Sequence, residues 1–259
     1  MTVAFALSGG GNLGAMQAGS MRALVEAGLG PDVLVGASIG ALNAAFYATH
    51  PDHDGCVRLE AAWRDLKRRD AFRFELSRAI VGFLGMRDHL VATKRLEQII
   101  RDWLGIGRIE EATLPFAAVA TDALTGEIVV MTTGDVASAL LASAAIPGIF
   151  PPVLREGRWL VDGSLSAGCP ALEAIDLGAD EVYAFMTTTS PRRRPPRGAV
   201  HQVPSPLPEA PSPFDFQHGG QLASLAYRRT VAWLSERDNG ASSAPAGGAS
   251  RARVKPATR

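Results

Sequence analysis

The segment Gly36-x-Ser38-x-Gly40 sets a serine between two glycines at a spacing that suits nucleophilic chemistry. A serine hydroxyl attacks a carbonyl well when it is held on a sharp turn between a strand and a helix, and flanking glycines let neighbouring backbone approach without a Cβ clash. Five residues of this kind also fit a serine that merely caps an ordinary helix, so placement carries the argument. Here the apolar run Val33-Leu34-Val35 precedes the serine and Ala41-Leu42-Asn43-Ala44 follows it, which is strand, turn, helix.

A second glycine cluster, Gly9-Gly10-Gly11-Asn12-Leu13-Gly14, follows the apolar run of residues 3 to 8. Three readings are open. The spacing G-x-G-x-x-G matches a dinucleotide fingerprint, but that site wants an acidic residue about 20 positions on, where this chain has Gly36 and Ser38 and where Asp32 precedes the strand. The cluster also suits an oxyanion hole, in which consecutive amides at the start of a helix face a developing negative charge. The third reading is a turn that serves packing alone.

A nucleophile needs a base, and the five histidines are poorly placed to supply one. His50 and His53 follow the elbow helix, His89 lies in the middle of the chain, and His201 and His218 sit in or beside a proline-rich stretch. A carboxylate remains. Asp162 closes the run Trp159-Leu160-Val161 and is followed by Gly163, so it would project from a strand end in a tight turn; an ordinary turn aspartate is the plainer reading. Asp122 is the rival, in a setting, Asp122-Ala-Leu-Thr-Gly126, that reads as a hairpin turn.

The elements that position these groups follow from the hydrophobic pattern. Strands are expected at 3–8, 33–35, 159–161 and 181–186, a hairpin at 115–121 and 127–132, and helices at 12–27, 41–48, 55–69, 92–104, 135–144, 170–177 and 221–236. Strand alternating with helix at this spacing predicts βαβ units on a parallel sheet. Eight prolines between Ser190 and Pro213 exclude a helix or central strand there. The expected organisation is a core over 1–187, a proline-rich loop or linker over 188–216, a helix over 217–238 and a disordered basic tail over 239–259.

Of 259 residues, 47% are hydrophobic and 20% charged, which excludes global disorder. Basic and acidic residues number 26 each, so the chain lacks the charge of a dedicated nucleic-acid binder, and no specific nucleic-acid partner is expected. The balance hides an asymmetry: residues 1–187 hold 15 basic against 22 acidic side chains, and the remainder is correspondingly basic. Cys56 and Cys169 have no metal-ligand spacing, and neither metal nor cofactor is expected. No apolar run reaches the roughly 18 residues of a membrane span, and the first residues lack a signal-peptide pattern, so a cytoplasmic protein is expected. The aromatic and basic stretch Phe72 to Leu90 suits a cover or a surface that meets lipid, and equally an ordinary core helix with solvated arginines.

Taken together, Gly9-Gly10-Gly11-x-x-Gly14, the block Val35-Gly36-Ala37-Ser38-Ile39-Gly40-Ala41-Leu42-Asn43-Ala44, the block Ala142-Ser143-Ala144-Ala145-Ile146-Pro147-Gly148-Ile149-Phe150-Pro151-Pro152, and Val161-Asp162-Gly163 resemble the successive motifs of the patatin-like phospholipases. The resemblance runs from about residue 3 to 187. It implies a three-layer α/β/α sandwich with a mainly parallel central sheet and a Ser/Asp dyad in place of a triad. It also implies Ser38 as nucleophile, Asp162 as general base, and an oxyanion hole drawn from Gly9, Gly10, Gly11, Asn12 and Gly14, with Gly36, Gly40 and Gly163 as motif glycines. The implied partner is a lipid or acyl ester substrate, with peripheral membrane contact. Three departures stand out: Leu13 where the family has Arg or Lys, Ser164 where it has Gly or Ala, and Ser166-Ala167 where an Asn often follows the Asp-Gly pair. Leu13 and Ser164 motivate a second expectation, a noncatalytic binding or regulatory protein on the same fold.

Overall fold

The computed structural model describes residues 1–65, 89–187, 200–204 and 216–242. Strand β1 (Val3–Leu7) is apolar throughout and nearly all buried, as a central strand covered on both faces must be. It pairs in parallel with β2 (Val33–Ala37) on one side and β7 (Glu181–Phe185) on the other. Beyond β2 lies β3 (Phe116–Asp122), also parallel. Beyond β7 lies the edge strand β8 (Val200–Gln202). Three further strands run antiparallel at one end: β4 (Ile128–Met131) on β3, β6 (Arg158–Asp162) on β3, and β5 (Val153–Arg155) on β6. The eight-stranded sheet is thus parallel at its centre and mixed at one end.

One face of the sheet carries the large core. Phe5, Leu7, Leu34 and Phe116 pack there against the helices α1 (Gly14–Glu26), α2 (Ile39–Thr49), α3 (His53–Asp65), α4 (His89–Leu104), α5 (Val136–Ser143) and α7 (Gly219–Ser242). Each large side chain buried in this way contributes about 1.5–3 kcal/mol. The other face is lined by small residues, Ala4, Ala6, Ala37 and Ala117 with Val35 and Val119, and packs on the short helix α6 (Ala171–Asp176). Small side chains let that helix lie close. The three-layer arrangement implied by the resemblance is therefore present, with layers of unequal thickness. Among the described residues no helix is long and apolar enough to cross a membrane.

The feature that positions the site is a shared strand edge. β4 and β6 both pair with Ala120 and Thr121, so they flank β3 on opposite sides, and β2 overlaps β4 at Ala118 and Val119, which puts β2 and β6 on the same side. The two strands approach head to head. β2 ends with Ala37 opposite Val119, and β6 ends with Asp162 opposite Ala120, the next residue along. Ser38 and Asp162 leave the sheet at the same gap.

Some expectations are amended. The proline-rich span 188–216 supplies β8, because Val200-His201-Gln202 holds no proline and an edge position needs only one ladder. The last helix continues to Ser242, into the span expected as disordered tail. β5 was not foreseen, since Pro151-Pro152 hid a three-residue strand that exists by pairing with β6. Most of the stretch Phe72 to Leu90 lies outside the described residues.

Candidate active site

Ser38 sits between β2 and α2 with φ 56° and ψ −127°, a conformation that costs a side-chain-bearing residue of order 1–3 kcal/mol. Packing enforces it. A β-carbon on Gly40 would run into the Leu7 carbonyl, and one on Gly36 into the backbone of Gly40 and Ala41, so helix and strands close on this turn only with glycine at both positions. The Ser38 backbone N–H donates to Ser143 Oγ at 2.9 Å, and Ser143 Oγ donates to the Val119 carbonyl at 2.6 Å. Ser143 thereby ties the elbow to the end of the β2–β3 ladder.

The Ser38 side chain makes no capping hydrogen bond to α2, which removes the reading of an ordinary helix cap. It lies instead close enough to the Asp162 carboxylate to favour that group's charged form. Asp162 is held by its own strand: Asp162 N–H donates to the Ala145 carbonyl at 2.9 Å, its carbonyl accepts from Thr121 Oγ1 at 3.0 Å, and its Oδ1 accepts from the Ser164 N–H at 2.8 Å. Both residues are almost fully buried, Ser38 at 6% exposure and Asp162 at 4%. Burial pushes the Asp162 carboxyl above its ordinary range, against the pull of Ser38 and Ser164. A carboxylate so raised is a stronger base than a surface aspartate.

The glycine loop lies over this pair. A β-carbon on Gly9 would overlap the Ser164 hydroxyl and come within 3.0 Å of Ser38 Cβ. Gly10 has φ 148° and Gly11 φ 58°, and a single 3-10 turn over Gly11–Leu13 leads into α1. The loop is anchored from behind. Thr187, at the end of β7, donates its hydroxyl to the Gly9 carbonyl and its N–H to Ser8 Oγ at 2.9 Å. Gln17 Nε2 donates to the Ser8 carbonyl at 2.7 Å. Asn43, on α2, donates to the Gly14 carbonyl and to Gln17 Oε1 at 2.9 Å each, and accepts from Trp63 Nε1 at 3.1 Å. This buried amide chain locks the glycine loop to the elbow helix.

The fold brings Ser38, Asp162 and the Gly9 to Gly14 loop to one place and leaves the rivals elsewhere. Asp122 Oδ1 accepts from the N–H groups of Leu124 and Thr125, which hold its carboxyl below the usual range; it is a turn residue. His50 bonds to Thr49 and the Phe46 carbonyl at the far end of α2, His53 to Glu26, His201 to Glu181 and His218 to Gln221. The roles of Ser143, Thr187, Gln17 and Asn43 were not read from the sequence. Ser143 and Asn43 stand inside the motif blocks, which was the available signal; Ser8, Gln17 and Thr187 carried none.

The sequence model described as patatin-like phospholipase matches residues 5–175, a stretch that contains Ser38, Asp162 and the glycine loop. The chain belongs to the patatin-like phospholipase family. It is 32% identical over 184 residues to an NTE family protein of Mycobacterium bovis, covering 70% of this chain and 48% of that one. It is 30% identical over 187 residues to the rat patatin-like phospholipase domain-containing protein 7, covering 71% of this chain and 13% of that one. The lysophospholipase NTE1 of Mycosarcoma maydis is 27% identical over 205 residues, covering 74% and 10%. The chain thus spans about half the length or less of these relatives. Among solved structures it is similar to VipD of Legionella pneumophila, with TM-score 0.47, 16% identity and coverage of 74% and 51%. In this patatin-like chain Leu13 is buried in the main core at the head of α1, so an apolar contact occupies the place of the family's cation. Ser166 Oγ donates to the Gly126 carbonyl at 2.9 Å and so braces the turn after Asp162 against the β3–β4 hairpin.

Proposed function

We propose that this protein is a lipid acyl hydrolase working through Ser38 and Asp162. The observation that carries the reading is a strained serine whose hydroxyl makes no capping bond to its helix and lies within interaction range of a buried carboxylate. In the reaction, Ser38 Oγ forms a bond to the ester carbonyl carbon while its proton passes to Asp162. The carbonyl oxygen becomes an oxyanion, stabilised by the N–H groups of Gly10 and Gly11 and by the positive end of α1. No described carbonyl takes either of those two N–H groups. Collapse expels the alcohol, which takes the proton back from Asp162, and leaves an acyl-serine. Asp162 then deprotonates a water that attacks the acyl carbonyl, and Ser38 recovers its proton as the carboxylic acid leaves.

Three observations support a lipid ester as substrate. The family is that of phospholipases, and the fungal relative carries the name lysophospholipase. The structure adds a third: Leu124, Leu154, Trp159 and Leu165 are exposed on the β3–β4 turn, the β5–β6 hairpin and the turn after Asp162, which supports peripheral contact with a lipid surface.

The test is a panel of acyl esters of graded chain length together with a fluorophosphonate, applied to wild type and Ser38→Ala. Wild type should hydrolyse esters and become labelled, and Ser38→Ala should do neither while keeping its melting curve. Turnover or labelling retained in Ser38→Ala would end the serine mechanism. A folded wild type inert to every ester and to the phosphonate would favour the noncatalytic reading.

A further inference from the structure

Ser164 stands where the motif comparison leads one to expect glycine or alanine, and its side chain enters the site. Its Oγ is buried and has no hydrogen-bond partner of good geometry among the described residues. It occupies the space that a Gly9 side chain would fill, next to Ser38 Cβ. It also lies close enough to the Asp162 carboxylate to favour its charged form, while the Ser164 N–H already donates to Oδ1 at 2.8 Å. A hydroxyl proton rotates to suit its acceptor, and a buried donor left idle costs free energy.

We propose that Ser164 is a positioning residue: its hydroxyl, wedged between the Gly9 backbone and Asp162, donates to the Asp162 carboxylate and holds it ionised and aimed at Ser38. The inference rests on the reading of Asp162 as base. It supplies something the dyad alone lacks. A Ser38 hydrogen bond to Asp162 can exist only while Ser38 keeps its proton, and an acyl-serine has no proton to give. In that half of the cycle the Ser164 N–H and hydroxyl are what remain on the carboxylate while it activates water. Among the described residues no charged side chain acts on Asp162. The groups that face it are Ala120 and Thr121 from β3, Ala145 from the loop after α5, Ser38, and Ser164.

Loss of a donor to the charged form raises a carboxyl pKa. Ser164→Ala should therefore move the acidic limb of the kcat/KM profile, and of the fluorophosphonate labelling rate, up by about one pH unit. Above the limb, rates should stay within about threefold of wild type, and Ser164→Thr, which keeps the hydroxyl, should restore the limb. A carboxyl-carbon NMR titration of aspartate-labelled protein, assigned with Asp162→Asn, should show the same shift without any turnover. An unmoved titration in folded Ser164→Ala overturns the proposal, as does a pH-independent loss of rate with the limb in place. If wild type hydrolyses nothing, the hydrolase reading falls, and the titration still decides whether Ser164 acts on Asp162.

Discussion

Replacing Ser143 by alanine tests the idea that one buried hydroxyl keeps the nucleophile in its strained turn. Ser143 is fully buried, accepts from the Ser38 N–H at 2.9 Å and donates to the Val119 carbonyl at 2.6 Å. Alanine leaves a donor and an acceptor unpaired at the gap between β2 and β6, each at a cost of about 1–3 kcal/mol. The removed oxygen is too small to leave room for a water to replace it. Taking about 3 kcal/mol for the pair, a domain of this size should melt roughly 6–12 °C lower. The turn also loses its anchor, so Ser38 relaxes from φ 56° and moves relative to Asp162. A displacement of about an ångström costs on the order of a hundredfold in rate. The assay pairs thermal melting with fluorophosphonate labelling, using Ser224→Ala as control, since Ser224 bonds only its own helix carbonyl at an exposed position. Ser143→Ala that melts within a degree of wild type and labels at the wild-type rate would refute the reasoning.

Asp162→Asn should abolish ester hydrolysis and yet raise the melting temperature at neutral pH. Burial lifts the Asp162 pKa, so its favourable contribution is complete below the unfolded carboxylate value and is lost as pH rises through the folded value; the amide removes that loss. The gap in melting temperature between variant and wild type should close as pH falls below the normal aspartate range, and a variant less stable than wild type at pH 7 would contradict this. Asn43→Ala severs the links to Gly14, Gln17 and Trp63; it should cost about 2–4 kcal/mol in chemical denaturation and lower kcat more than it raises KM, whereas equal changes would show that the glycine loop does not depend on it. Substituting His50, His53, His201 or His218 by Gln, one at a time, should leave hydrolysis within roughly tenfold of wild type, and a histidine whose loss matches that of Ser38 in folded protein would move the base to that residue.

The strained turn at Ser38 and the strand-end position of Asp162 were legible in the sequence because each depends on local chemistry. Gly36 and Gly40 are demanded by backbone that approaches within the same turn or from the adjacent strand β1, and the Asp162-Gly163 pair marks a strand end. The alternation of strand and helix likewise predicted the parallel centre of the sheet. What could not be read was pairing at a distance. β5 is three residues long and gains its identity only from β6, and β8 lies within a proline-rich span whose composition argues for a loop. Thr187 reaches Gly9 across 178 residues of chain, and nothing in its neighbourhood distinguishes it from any threonine after a strand.

Most of all, the sequence held no sign of why a serine at position 38 and an aspartate at 162 should meet. The answer is in the register of β3. A parallel strand and an antiparallel strand share one edge of it and stop at consecutive residues, Val119 and Ala120, so the two chain ends turn away from the sheet at a single point. Such a gap leaves backbone groups without ladder partners, and the side chains that fill it are Ser143, on the Val119 carbonyl and the Ser38 N–H, and Thr121, on the Asp162 carbonyl. The polar groups that repair the sheet are the same ones that hold Ser38 and Asp162. In the proposed dyad no third residue is needed to orient the base, because the strand that carries Asp162 does so. In a triad, where the base is an imidazole, a separate carboxylate must set its ring. Here the rigidity of the sheet performs that task, and the short reach of an aspartate side chain is sufficient because the two strand ends already abut.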